Sequence, residues 1–215
     1  MTVKPIRFNA HQVRATLDGR KTRHSEVLKP QPEHRYVAGW GIGREGHPKE
    51  WVGCSENPHA DDWRLWGTRC SPPYVPGDLL WVRETFAVVE PAIAPPESPD
   101  GRLYRADWPH EPYANPVWKA SIHMPRWASR LTLEVTDVRI ERVQDISAED
   151  ALAEGVGFAD GYPQQDFAEL WNSLNAKRGY GWDANPWVVA VTFKAHHCNV
   201  DSMEQPLPDP PEPQL

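Results

Sequence analysis

The chain has 215 residues, 40% hydrophobic and 25% charged, ordinary proportions for a globular protein long enough to bury a core without staples. No run of roughly 18 apolar residues occurs, which excludes a membrane-spanning helix, and three cysteines make no disulfide framework. The net charge of −7 argues against a long polyanion as partner, but it is unevenly spread. Residues 1–35 carry eight Lys and Arg against three acids, whereas the segment after residue 200 carries four acids and no base. A nucleoside or a short RNA segment therefore stays open as a partner. The start, "MTVKPIRFNA", has no apolar signal-peptide core, so a cytoplasmic, reducing location is expected. With 23 prolines and 11 tryptophans the chain reads as rich in loops and strand ends rather than as a helical bundle.

In chain order, "NAHQVRATLDG" predicts a helix capped by Asn9 and stopped at Gly19. "GRKTRHSE" follows, read as a short charged turn, and "VLKPQP" turns extended before its prolines. Residues 36–76 form an irregular insertion with Trp40, Trp51, Trp63 and Trp66, more readily packing than ligand contacts. "VPGDLLWVRETFAVV" predicts a strand launched by a Pro-Gly-Asp turn, residues 90–101 a Pro-rich loop, and "GRLYRADW" a second short strand. "SRLTLEVTDVRIERV" alternates as a long strand with a bulge near Thr136 and Asp137. "DISAEDALAEGV" predicts a helix with Ser147 as N-cap, Asp150 in a box-like position and Gly155 as stop. "DFAELWNSLNAKRG" predicts an amphipathic helix with Phe167, Leu170, Trp171 and Leu174 on one face, and "NPWVVAVTFKA" a buried strand. Residues 199–215 read as an acidic, Pro-rich disordered tail. The order predicts an α+β domain over 1–198, a small, mostly antiparallel β-barrel with flanking helices.

"LDGRKT" after the first helix, "PGDLLWVRE" as a strand, a strand running into "DISAEDALAEGV", and "VVAVTFK" at the end resemble an ASCH domain of the PUA-like superfamily. The resemblance spans roughly residues 4–195. "SIHMPRWASRLTLEVT" is similar to the larger phage-associated and environmental members. It implies handling of nucleosides or nucleic acid. Small bacterial members are amidohydrolases that remove acyl groups from the exocyclic amine of N4-acylated cytosine nucleosides, N4-acetylcytidine included, without metal or cofactor. Their site is a lysine in the G-R-K-T block, a threonine three residues later and a glutamate at the second helix. The lysine corresponds to Lys21 and the glutamate to Glu154; the threonine position holds His24.

Amide hydrolysis needs a nucleophile, a base to activate it and an acid for the departing amine. By residue type alone Lys21 reads as a solvated lysine; with the resemblance it becomes the base, because burial favours a neutral amine that accepts a hydroxyl proton. Ser25 is the preferred nucleophile, one position beyond the expected threonine. Thr22 stays open for that role, and His24 as an alternative base. Water activated in place is the other route. Glu154, with its charge disfavoured at a helix C-terminus, would move protons. Arg20, Arg83, Glu84, His123, Arg126 and Trp127 are candidate substrate contacts, Trp127 by stacking on a base and Arg126 by donating hydrogen bonds. Structural roles compete at each, such as a cross-strand ion pair for Arg83 and Glu84 and a core position for Trp127. Cys54 and Cys70, with His47 and His59 nearby, lack the close cysteine pair of a zinc site. The leading expectation is a monomeric amidohydrolase acting on a small nucleoside. A non-catalytic RNA or modified-base binding module is the alternative, with a ribonuclease below it.

Overall fold

The computed structural model describes residues 2–31, 36–38, 53–55, 72–96, 98–108, 116–157 and 161–203. The tryptophans of the insertion, together with Cys70, His47 and His59, lie outside these residues, as do residues 204–215. No helix among the described residues is long and apolar enough to cross a membrane.

The architecture is α+β. Strands β1 (Val3–Arg7), β2 (Arg23–Val27), β5 (Leu79–Arg83), β8 (Thr132–Arg142) and β9 (Trp187–His196) form one sheet in the order β1-β5-β8-β9-β2. Two short pairs complete the strands: β3 (Tyr36–Ala38) with β4 (Gly53–Ser55), and β6 (Phe86–Val88) with β7 (Arg102–Tyr104). Four α-helices accompany them: α1 (Ala10–Leu17), α2 (Ala148–Ala153), α3 (Pro163–Asn175) and α4 (Val200–Met203). The described residues form no closed barrel: the sheet is open, with β1 and β2 at its edges. It is also mixed, since β1 pairs with β5 in parallel while β2 pairs with β9 antiparallel. The expectation of a closed barrel is thus corrected to an open mixed sheet.

Two strands carry no apolar alternation. β1, "VKPIR", is an edge strand whose proline and charges suit an unpaired side. β2, "RHSEV", replaces the charged turn expected at residues 19–26, and buries Arg23, His24 and Ser25 through ion pairing and register rather than apolar content. The long "VPGDLLWVRETFAVV" strand is two, β5 and β6, interrupted at Glu84 and Thr85. β8 is continuous, but its buried side changes from Leu133 and Val135 to Val138 across exposed Thr136 and Asp137. Residues 199–203 are not part of a disordered tail: Val200, in α4, is fully buried.

The chain divides into two compact units. One comprises residues 1–14, 79–133 and 195–215, the other residues 15–78 and 134–194. In the second, Val143, Ile146, Ala151, Val156, Phe167, Trp171 and Val188 form an apolar cluster, with Leu170 and Trp182 packed against it. Leu174, expected on the same face of α3, is exposed. Trp171 donates to the Tyr180 carbonyl at 2.8 Å, which satisfies its indole N–H. β9 is buried without a break from Trp187 to Val191, as expected of a strand covered on both faces there. In the first unit Phe86, Tyr104, Met124 and Ala128 form a smaller cluster.

Candidate functional site

Lys21 sits where three backbone segments meet in the second unit. Its amide donates to the Ala15 carbonyl of α1 at 2.9 Å, and the Thr22 amide donates to Ala153 at the end of α2 at 2.8 Å. Phe193 of β9 donates to the Thr22 carbonyl at 2.9 Å. α2 is built as its sequence predicts. The Ser147 hydroxyl accepts from the Asp150 amide at 3.0 Å, and the helix ends at Glu154, followed by Gly155 at φ +86°. This ending makes Glu154 a one-residue bridge partner of Lys21.

Gly155 is required twice. Its φ lies in the left-handed region, and a Cβ there would stand 2.8 Å from the Ala15 Cβ and 3.0 Å from the Lys21 Cβ. Gly155→Ala is therefore expected to lower stability by about 2–4 kcal/mol, from backbone strain and overpacking together. A urea denaturation midpoint unchanged from wild type would refute that reading.

The Lys21 ammonium donates to the Arg23 carbonyl at 2.6 Å, the Glu154 carbonyl at 2.9 Å and Glu154 Oε2 at 2.8 Å. Lys21 is 1% exposed and Glu154 4%, so the pair is desolvated and the lysine is not the solvated residue that its neighbours suggest. Burial holds the Lys21 amine below its ordinary range. The Glu154 carboxylate opposes this shift, and the Arg23 charge adds to it.

Arg23 is the residue that sequence reasoning missed. Two positions beyond Lys21, it belongs by the period of a strand to the same face. It is 1% exposed, and its guanidinium pairs with Glu141 of β8, lies 2.8 Å from Asp150 and 3.8 Å from Glu154 Oε1. Asp150 does not complete a capping box. Its carboxylate turns instead to Arg23 and to Arg139, which donates to it at 2.9 Å. Despite partial burial, these two cations hold the Asp150 carboxyl below the usual range. Glu154 Oε1 is buried and accepts no hydrogen bond.

Of the other candidates, Ser25 lies on β2 on the Lys21 side of the strand by alternation. It is buried, and its Oγ makes no hydrogen bond, to Lys21 or otherwise. His24 is on the opposite side, with Nε2 3.5 Å from Glu26 Oε1. Thr22 is exposed. Arg20 is exposed, paired with Asp18 at 2.8 Å, and donates to the Gly155 carbonyl at 3.3 Å.

Arg83, Glu84, His123, Arg126 and Trp127 all belong to the first unit. Arg83 donates to the Ile122 carbonyl and lies 5.3 Å from the centre of the Trp81 ring. Glu84 is buried in a two-point pair with Arg130, at 2.9 and 3.1 Å. It is therefore neither a pair with Arg83 nor a surface charge. Burial pushes the Glu84 carboxyl up, which Arg130 offsets only in part. Arg130 also binds Asp107 at 2.6 and 3.0 Å and lies 4.0 Å from the centre of the Tyr104 ring. Such a closed set of partners reads as structural. "SIHMPRW" forms two single 3-10 turns, Ser121–His123 and Arg126–Ala128, around buried Met124. Arg126 pairs with Asp201 at 2.5 Å, His123 is exposed, and Trp127 is 56% exposed, not core.

No three His, Cys, Asp or Glu side chains among the described residues are grouped to hold a metal ion. Comparisons of the chain with protein-family models, with curated proteins and with solved structures each return no match.

Proposed function

We propose that the chain is an amidohydrolase that removes acyl groups from the exocyclic amine of N4-acylated cytosine nucleosides, on an ASCH-type fold, with Lys21 and Glu154 as its acid–base couple. The observation that carries the reading is their contact. Two residues 133 positions apart, each marked by the resemblance, lie 2.8 Å apart with almost no solvent. Loss of the ammonium proton leaves a neutral Lys21 amine, a base, beside the Glu154 carboxylate as a second proton carrier. Both stand inside a site where desolvation already disfavours the charged lysine.

Ser25 is the nucleophile in this reading. Lys21 takes the hydroxyl proton as Oγ bonds to the acyl carbon. The bond from that carbon to N4 breaks, and N4 takes that proton from Lys21. Water then attacks the resulting ester, giving its proton to the Glu154 carboxylate, which passes it to the leaving Ser25 Oγ. Both groups return to their starting forms. The unpaired Oγ of Ser25, on the Lys21 side of β2, supports this choice over exposed Thr22. Direct attack by water uses the same couple without the ester.

Ser25→Ala separates the two routes. It is expected to lower kcat on N4-acetylcytidine by about 10²-fold or more and to abolish an acetylated enzyme intermediate in quenched samples. Turnover at the wild-type rate assigns the attack to water. A second reading, a non-catalytic binder of a modified base or short RNA, draws support from the exposed Trp127 indole as a stacking surface. Saturable oligonucleotide binding without turnover selects it.

A further inference from the structure

We propose that Arg23 is a positioning residue for the Lys21 base: it draws Glu154 Oε1 to itself and divides that carboxylate between two cations. This rests on the acid–base reading of Lys21 and Glu154.

The arrangement is asymmetric in a useful way. Glu154 gives Oε2 to Lys21 at 2.8 Å and turns Oε1 towards the Arg23 Nε at 3.8 Å. Oε1 accepts no hydrogen bond, and Arg23 Nε donates none. The attraction is therefore that of charge rather than of a saturated fork, and Oε1 keeps a lone pair. The guanidinium is fixed from its far side by Glu141 of β8 and by Asp150 of α2, itself held by Arg139. A residue tied in this way cannot swing out to solvent, and arginine cannot shed its charge.

Besides Glu154 at the C-terminal cap of α2, the charged groups around Lys21 are Arg23 on β2, Asp150 from α2, and Glu141 and Arg139 from β8. Among them Glu154 favours the protonated lysine and Arg23 disfavours it. A fixed cation beside a lysine lowers the proton affinity of its amine and so leaves more of it neutral and available. Arg23 thereby adds to burial in opposing the Glu154 carboxylate, which favours the protonated lysine.

The test is the pH profile of kcat/KM on N4-acetylcytidine for wild type, Arg23→Lys and Arg23→Gln. Arg23→Met with Glu141→Gln serves as a variant that removes charge and partner together and so protects the fold. Without the cation, the limb for Lys21 deprotonation is expected to move to higher pH. At neutral pH kcat/KM then falls about tenfold, recovers in alkali, and KM changes little. Arg23→Lys keeps a charge but not the three-point geometry, and is expected to shift the limb less than Arg23→Gln does. A fall of equal size at every pH, with the limb unmoved, overturns the proposal and makes Arg23 a purely structural residue. A readout independent of activity is the titration of the Lys21 Nζ in the full chain by 15N NMR, assigned with Lys21→Met. Its midpoint moves up in Arg23→Gln if the proposal holds; a midpoint unmoved or lowered overturns it. Should the wild type not turn over N4-acetylcytidine, the reaction is wrong, and the NMR titration still decides the role of Arg23.

Discussion

Glu154→Ala is expected to cost about 3–5 kcal/mol of stability, because it leaves the Lys21 ammonium buried without its carboxylate partner. In a chain of this size that lowers the thermal midpoint by roughly 10 °C. With the Glu154 carboxylate gone, the charge that opposes the effect of burial on the Lys21 amine is lost. The penalty is full while both folded and unfolded chains hold the proton. As pH rises, the folded chain releases it first, so stability recovers through the window between the lowered folded value and the ordinary lysine value. Lys21→Met combined with Glu154→Leu removes both charges and is expected to regain most of the loss. A double variant as unstable as Glu154→Ala would show that the penalty lies in packing, not in the unpaired charge.

Lys21→Met carries the largest expected effect on turnover. Removing the base is expected to lower kcat on N4-acetylcytidine by about 10²- to 10⁴-fold, with KM changed little. Its cost in stability is smaller than that of Glu154→Ala, because Glu154 keeps Arg23 at 3.8 Å. This asymmetry separates chemistry from folding. A Lys21→Met protein with a near-wild-type melting curve and no turnover places the lysine in the reaction. Unchanged turnover removes it, whatever its burial.

The parts of the chain legible in the sequence are those with local rules. Ser147 followed by Asp150 and then Gly155 marks both ends of α2, since a cap and a left-handed stop act within a few residues. Asn9 and Gln12 cap α1 reciprocally, each backbone amide donating to the other's side chain. "NPWVVAVTFKA" is a buried strand by its apolar run alone. Lys21 and Glu154 were legible as a pair only through the resemblance of their blocks, because no local rule links residues 133 positions apart.

What was not legible depends on partners distant in sequence. β2 has one apolar residue in five, and its burial is stabilised by Glu141, Asp150 and Glu154, which no reading of residues 23–27 contains. The spacing of Arg23 from Lys21 was the available signal, but it speaks only once the segment is known to be extended. The parallel pairing of β1 with β5 escaped for the same reason, since "VKPIR" shows no alternation that would mark it as a strand. Arg130 was passed over because the buried acid it serves, Glu84, lies 46 positions away.

The most direct measurement of the central claim is the release of cytidine from N4-acetylcytidine by the purified wild-type chain, followed by chromatography under conditions where a melting curve shows it folded. Many cytidines are expected per protein molecule, and none above background from Lys21→Met. A folded wild-type chain that leaves N4-acetylcytidine intact would contradict the claim.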